Sequence, residues 1–301
     1  MGLRSFLGQA VVLVIAWVGL LAWQQDSLIY HPVRYTRKDP DVKAMTAFFP
    51  DFDLQELRFS TADGNQTAII VKKHGYYADR LYLVFGGNAM VARDWVEVFV
   101  HPQFDMHNGL ALALVDFPGY GESDGAPSKA SIVRVGKRAL LEATRVLLHK
   151  REGVDLFVGA IGHSIGCAAA LELAVVQQGS RTPVQHLVLS SPFTTLAEMA
   201  SEVLPVLKAI PVWLIAALTA RNSWDNTAAA KQLSGATTPR VDIMHGKRDS
   251  MVPHAMGERL SRRLRALGFQ VSFQGIESDH NDLVGSEGYA AWLHRALARR
   301  T

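Results

Sequence analysis

The sequence predicts an α/β fold with a mostly parallel central sheet and helices on both faces. Apolar runs such as "LALALV" and "FVGAI" are nearly continuous, as expected for strands that are buried on both sides. These runs alternate along the chain with segments of helical character. A chain of 301 residues, of which 49% are hydrophobic and 20% charged, is long enough to bury one large core.

The predicted elements follow in a regular order. "LRFST" and "TAIIVKK" form a hairpin across "ADGNQ", which adds antiparallel strands at one edge of the sheet. The remaining predicted strands are RLYLVFGG, GLALALVDFPGYG up to its terminal turn, VDLFVGAIG, QHLVLSSP, PRVDIMHG and FQVSFQG. The predicted helices cover residues 128–150, 165–178, 253–267 and 289–300.

The N-terminal residues differ from the rest of the chain. Residues 6–23 carry no charge, and as a helix they would be about 27 Å long, close to the thickness of a bilayer core. We therefore expect residues 1–25 to form a single-pass membrane anchor, residues 26–51 a connector and residues 52–301 the folded domain. A cleaved signal peptide is the alternative, but Leu20 stands where a cleavage site prefers a small residue. Basic residues flank both ends of the run, so they leave the side of the membrane undecided.

Charge and cysteine content exclude several classes of protein. The net charge is only +3 and the basic residues are scattered, which argues against nucleic-acid binding. Cys167 is the sole cysteine, so the chain cannot form an internal disulfide. The sequence has no Cys/His cluster with metal-ligand spacing and no phosphate-binding loop, and we expect no metal or cofactor.

The motif "GHSIG" places Ser164 between Gly162 and Gly166, at the junction of a predicted strand and a predicted helix. This is the setting of a nucleophile elbow, a sharp turn that lifts a serine hydroxyl above a sheet. Glycines two residues to either side keep side chains away from that turn. The alternative is a serine that caps the following helix.

A nucleophilic serine needs a base and an acid. His280 lies in "ESDHNDL", after the last predicted strand, and Asp249 lies in "IMHGKRDSMVP", after the strand before it. Asp249 alone could also cap a helix. Among the other histidines, His245 ends a strand and competes for the role of base, whereas we expect the ring of His163 to point away from the site. The chain order Ser164, Asp249, His280 is the order of one known hydrolase architecture.

Two backbone amides should stabilise the oxyanion of an acyl-transfer reaction. One is the amide of Ile165, the residue after the serine. The second should come from the loop "FGGNAM", in which Asn88 or its neighbour Ala89 would donate. A glycine-rich strand end without a catalytic role is the alternative reading of this loop.

These residues resemble the α/β-hydrolase superfamily, and more narrowly its membrane-anchored branch of esterases, thioesterases and monoacyl-lipid lipases. The matching segments run from about residue 28 to about residue 285: LIYHP, VFGGNAM, VDFPGYGESDGAPS, GHSIG, SPFTTLAEMA, WDN, IMHGKRDSMVP and DHND. The resemblance implies Ser164 as nucleophile, His280 as base and Asp249 as acid, with Asn88 and Ile165 as oxyanion donors. One departure is that Gly86 stands where this branch usually has histidine in a His-Gly-Asn sequence.

The resemblance also implies a short cap over the site, formed by an insertion at about residues 194–238. Its central sequence, "LPVLKAIPVWLIAALTA", is apolar, which favours a substrate with an acyl chain; a helix packed on the core is the alternative. The predicted function is hydrolysis of carboxylic esters, of small-molecule or lipid type, through an acyl-enzyme. An acyl-protein thioesterase, an acyltransferase and a non-catalytic membrane-associated binding protein stay open as alternatives.

Overall fold

The computed structural model describes residues 26–27, 29–149, 151, 153–203, 222–235 and 238–298. The anchor predicted for residues 1–25 and the apolar centre of the predicted cap lie outside the described residues, and both stay predictions. Within the described ranges, no helix is long and apolar enough to cross a membrane.

Eight strands form one sheet in the order β1-β2-β4-β3-β5-β6-β7-β8. The strands are β1 (Phe52–Thr61), β2 (Gly64–Lys73), β3 (Arg80–Phe85), β4 (Leu110–Val115), β5 (Phe157–His163), β6 (His186–Ser190), β7 (Arg240–Gly246) and β8 (Val271–Ile276). Strand β2 pairs antiparallel with β1 and with β4, whereas every other neighbouring pair is parallel. The predicted mostly parallel sheet with an antiparallel hairpin at one edge is confirmed.

The described helices are α1 (Val42–Phe48), α2 (Ala92–Val100), α3 (Lys129–Leu147), α4 (Ile165–Gln177), α5 (Leu196–Val203), α6 (Asn226–Leu233), α7 (His254–Ala266) and α8 (Glu287–Ala298). Helices α1 and α2 were not predicted from the sequence. Both are short helices that begin with an acidic side chain on a backbone amide: Asp41 accepts from Ala44 at 2.7 Å, and Asp94 accepts from Val91 at 2.9 Å. Helices α5 and α6 flank the undescribed centre of the predicted cap.

The helices cover the sheet on both faces. Helices α3, α4, α6 and α7 pack in one apolar cluster, and α1, α2 and α8 pack in a second cluster on the other face. Strand β4 is buried along its whole length between them. This two-sided burial is the reason that the strands appear as continuous apolar runs rather than as alternating ones.

A buried polar network ties the C-terminal helix to the amino ends of the strands. The carboxylate of Asp242 accepts from His186 Nε2 at 2.8 Å and from Arg240 Nε at 3.0 Å, and Arg240 also donates to the carbonyl of Ala296 in α8 at 2.9 Å. The hydroxyl of Tyr82 lies 2.8 Å from the other ring nitrogen of His186. Burial acts to raise the pKa of Asp242, but the bonds from His186 and Arg240 outweigh it and lower the pKa.

We predict that Asp242→Ala lowers the free energy of unfolding by about 3–5 kcal/mol, because it leaves the charge of Arg240 buried without its carboxylate. Urea denaturation of the two proteins measures the difference. Asp155→Ala, which removes an exposed aspartate, is the control and should change stability by less than about 0.5 kcal/mol. Equal stability of Asp242→Ala and wild type would contradict a stabilising role for the Asp242 carboxylate in this network.

Candidate active site

The three residues predicted for the site lie in loops at the carboxyl ends of the parallel strands. Strands β5 to β8 are parallel neighbours, so the loops after them emerge on the same side. Ser164 directly follows β5, Asp249 lies in the loop after β7, and His280 lies in the loop after β8. The fold therefore brings the three loops together.

The backbone at Ser164 has a strained conformation, with φ 54° and ψ −120°. A Cβ atom on Gly162 would lie 2.4 Å from the carbonyl oxygen of Gly166, and one on Gly166 would lie 2.2 Å from that of Phe85. Both positions are thus restricted to glycine. The amide of Ser164 donates to the carbonyl of Ser190 in β6 at 2.9 Å, which fixes the turn. The Ser164 side chain makes no capping hydrogen bond to α4, which argues against the N-cap alternative.

Asp249 and His280 form a buried hydrogen-bonded pair. The Asp249 Oδ2 atom lies 2.8 Å from His280 Nδ1, and the two side chains are 0% and 4% exposed. The other carboxylate oxygen accepts from the amides of Met251 at 3.0 Å and Val252 at 2.7 Å. Burial acts to raise the pKa of Asp249, but hydrogen bonds from His245 and His280 outweigh it and hold the pKa well below its usual range. The carboxylate is therefore ionised at neutral pH and can orient an imidazole.

His280 uses Nδ1 on the acid, and its Nε2 atom makes no hydrogen bond within the part of the chain that is described. The same holds for the Ser164 hydroxyl. No hydrogen bond joins these two groups in the structure, and such catalytic bonds often tighten only when substrate binds. The geometry leaves one nitrogen of His280 available for a proton from a neighbouring group.

His245 is a second histidine on the same acid. Its Nε2 atom lies 2.9 Å from the carbonyl oxygen of Val252 and 3.3 Å from the Asp249 carboxylate. Its Nδ1 atom faces Gly257 in α7, where an added Cβ would lie only 2.2 Å away. No substrate group fits between this nitrogen and Gly257. His245 is therefore unsuited to the role of base, for which it was the alternative to His280 in the sequence. It supports the acid instead, a role that the sequence analysis missed.

The ring of His163 does not point away from the site, and that expectation is wrong. Its centroid lies 4.9 Å from the centroid of the His280 ring, and its Cδ2 atom lies 2.8 Å from where a Cβ on Gly87 would be. His163 is still part of β5, where it pairs with Ser190, so the alternation of the strand sets the direction of its side chain. Burial, with a smaller contribution from His280, lowers the pKa of His163 to about 3. It is a neutral ring that packs against His280 and the loop of Gly87.

Asp279 joins the loop of the acid to the loop of the histidine. Its Oδ1 atom accepts from the amide of Ser250, next to Asp249, at 2.8 Å and from the amide of His280 at 2.7 Å. The Ser250 hydroxyl adds a bond to the same carboxylate at 2.9 Å. Asp279 lies within the "DHND" segment, but its role was not predicted from the sequence.

The loop after β3 supplies the second predicted amide. The backbone amides of Asn88, Ala89 and Ile165 donate no hydrogen bond within the described ranges. Both candidates in this loop therefore keep an amide available for an oxyanion, and Asn88 stays the predicted donor. A Cβ on Gly86 would lie 3.0 Å from Met90 Cβ and 3.1 Å from Trp95 Nε1. Met90 and Trp95 thus fill the space that a histidine side chain would need at this position.

Comparison with known proteins agrees with the fold. A family model described as the alpha/beta hydrolase fold matches residues 79–222. This match covers just under half of the chain, which is thus similar to the α/β-hydrolase superfamily. An uncharacterized protein of Mycobacterium tuberculosis is 32% identical over 50% of this chain and 47% of its own length. The Arabidopsis thaliana alpha/beta hydrolase domain-containing protein WAV2 is 25% identical over 93% of this chain and 89% of WAV2.

A solved structure shares the α/β-hydrolase fold over most of its length. Carboxyl esterase 2 of the mycorrhizal fungus Tuber melanosporum superposes with a TM-score of 0.63 at 17% identity, over 93% of this chain and 94% of the esterase. The chain spans about half the length of several curated relatives that it matches, such as the M. tuberculosis protein. Similarity to this superfamily supports the prediction of a hydrolytic enzyme. No group of three or more His, Cys, Asp or Glu side chains in the described ranges is arranged to hold a metal ion.

We predict that Asp279→Ala lowers kcat about tenfold or more, because it removes the link that sets the loop of Asp249 against the loop of His280. Steady-state ester hydrolysis measures the change. Asp282→Ala is a matched control, since Asp282 is an exposed aspartate of the same "DHND" segment and its side chain makes no hydrogen bond or ion pair in the described part of the chain. A kcat for Asp279→Ala equal to that of the control would show that the link is unimportant.

Proposed function

We propose that this chain is a serine hydrolase that cleaves carboxylic esters through an acyl-enzyme. The observation that carries the proposal is the buried 2.8 Å hydrogen bond between Asp249 and His280, at the sheet edge where Ser164 stands on its strained turn. The pair supplies an oriented base, to which the turn would present the Ser164 hydroxyl. The esterase fold of the Tuber melanosporum enzyme agrees with an ester as substrate.

In the first half of the proposed reaction, the Ser164 hydroxyl attacks the ester carbonyl carbon while His280 Nε2 takes its proton. Asp249 stabilises the resulting imidazolium, and the amides of Asn88 and Ile165 hold the negative oxygen of the tetrahedral intermediate. The bond from the carbonyl carbon to the alkoxy oxygen then breaks. His280 gives its proton to the departing alcohol, and the acyl group stays on Ser164.

In the second half, water replaces the alcohol. His280 takes a proton from the water as its oxygen attacks the acyl carbon, the bond to Ser164 Oγ breaks, and the proton passes to the serine. The carboxylic acid leaves. Transfer to another alcohol would follow the same steps with that alcohol in place of water, and a thioester would differ only in its leaving group. The proposal takes an acyl ester as substrate because the predicted cap sequence is apolar.

We predict that the wild-type full-length chain in detergent hydrolyses p-nitrophenyl esters and that Ser164→Ala lowers kcat at least about a thousandfold. A series of acyl chains from acetyl to palmitoyl measures the preferred chain length. Ser180→Ala, which changes an exposed serine after α4, is the control and should keep wild-type kcat.

Each outcome of this experiment has a distinct meaning. An optimum at long acyl chains would support an acyl pocket, and faster cleavage of the matching thioester would favour a thioesterase. Activity of Ser164→Ala equal to wild type would contradict Ser164 as nucleophile. A folded wild type that cleaves neither esters nor thioesters would favour the non-catalytic binding role.

A further inference from the structure

The chain that enters the domain from the N-terminus lies directly against the side chain of Asn88. Asn88 Nδ2 donates to the carbonyl of Ile29 at 2.7 Å, and Asn88 Oδ1 accepts from the amide of His31 at 2.9 Å. The Tyr120 hydroxyl donates to the same Oδ1 at 2.9 Å and lies 3.1 Å from the His31 amide. One amide side chain therefore joins the loop after β3 to two backbone groups of residues 29–31.

Residues 29–31 are themselves held in place from the other side. Tyr30 is 2% exposed, and its hydroxyl accepts from Trp224 Nε1 at 2.9 Å and donates to Asn222 Oδ1 at 3.3 Å. Asn222 and Trp224 lie within the predicted cap, directly after its apolar centre. Further along, the carbonyl of Val33 accepts from the amide of Gly121, next to Tyr120, at 2.8 Å. The segment is thus anchored before and after its contact with Asn88.

The loop that carries Asn88 needs support from outside. Ala89 has a φ of 63°, a left-handed conformation that costs a non-glycine residue roughly 1 kcal/mol or more and persists only where surrounding contacts impose it. The Asn88 side chain provides such contacts. Only an amide suits the position, because it offers a donor to the Ile29 carbonyl and an acceptor to the His31 amide at once.

We propose that residues 29–31 are a positioning element of the oxyanion site: they hold the Asn88 side chain and thereby aim its backbone amide at the developing oxyanion. The inference rests on the proposed function. The catalytic group is the backbone amide of Asn88, whereas its side chain acts only as the attachment. Removing the attachment therefore leaves the donor present but no longer fixed. This lowers the stabilisation of the transition state more than it lowers the binding of the substrate.

The test uses two variants of the full-length chain, Asn88→Ala and Tyr120→Phe. The first removes the amide side chain that residues 29–31 hold, and the second removes the hydroxyl that donates to it. Both variants keep the backbone amide of residue 88. We expect kcat to fall about 10- to 100-fold with KM within about twofold of wild type. A trifluoromethyl ketone adds to a catalytic serine as a tetrahedral oxyanion, so its inhibition constant should rise by the same factor as kcat falls.

Tyr82→Phe is the matched control, since it removes another buried hydroxyl, at the opposite end of the strands. It should lower the melting temperature without changing kcat or the affinity for the ketone. Active-site titration with a fluorophosphonate corrects every value for the fraction of folded protein, so a variant that folds poorly still gives a kcat per active site.

Ser164→Ala, measured alongside, separates the two proposals. If Ser164→Ala is inactive but Asn88→Ala and Tyr120→Phe keep wild-type kcat and ketone affinity, the positioning role is overturned and the proposed function stands. If Ser164→Ala is as active as wild type, or if wild type neither hydrolyses esters nor binds the ketone, the proposed function fails and the positioning role falls with it.

Discussion

The rest of the site depends on one steric constraint, the contact between the start of α4 and the end of β3. At Gly166 the helix backbone comes so close to the carbonyl of Phe85 that no Cβ atom fits. This approach forces the chain through a turn in which Ser164 takes a positive φ, and the backbone bond to Ser190 holds the turn against β6. A relaxed helix start would carry the serine side chain into the helix cap, where its hydroxyl would be an acceptor for an amide.

The acid and the histidine are ordered around that turn by polar contacts that reach beyond the three predicted residues. Asp249 is held by two backbone amides and by His245, so its charge persists despite burial. His280 packs on the neutral ring of His163, and Asp279 ties its loop to that of the acid. These supporting groups narrow the positions that the imidazole can take, which is what a proton-transferring group requires. Residues 29–31 do the same for the loop of Asn88.

The sequence was sufficient for the sheet and for the loops that bear Ser164, Asp249 and His280, because buried parallel strands leave an unmistakable apolar pattern and glycines mark the elbow. It was insufficient for contacts between segments distant in the chain. The bond from Asn88 to Ile29 joins residues 59 positions apart, and no local pattern encodes it. The orientation of His163 was mispredicted because the residue was assigned to the turn, whereas it is the last residue of β5 and its side chain follows the strand. Helix α2 was missed because its start depends on Asp94, which reads as an ordinary charged residue.

The central claim is that Ser164 is a nucleophile activated by His280. The most direct measurement is the site of covalent labelling of the full-length chain by a fluorophosphonate, mapped by mass spectrometry of peptides. The account predicts one adduct per chain, on Ser164, and none in a folded His280→Ala variant treated for the same time, because an unactivated serine reacts too slowly. An adduct on another serine, or labelling of Ser164 that does not depend on His280, would contradict it.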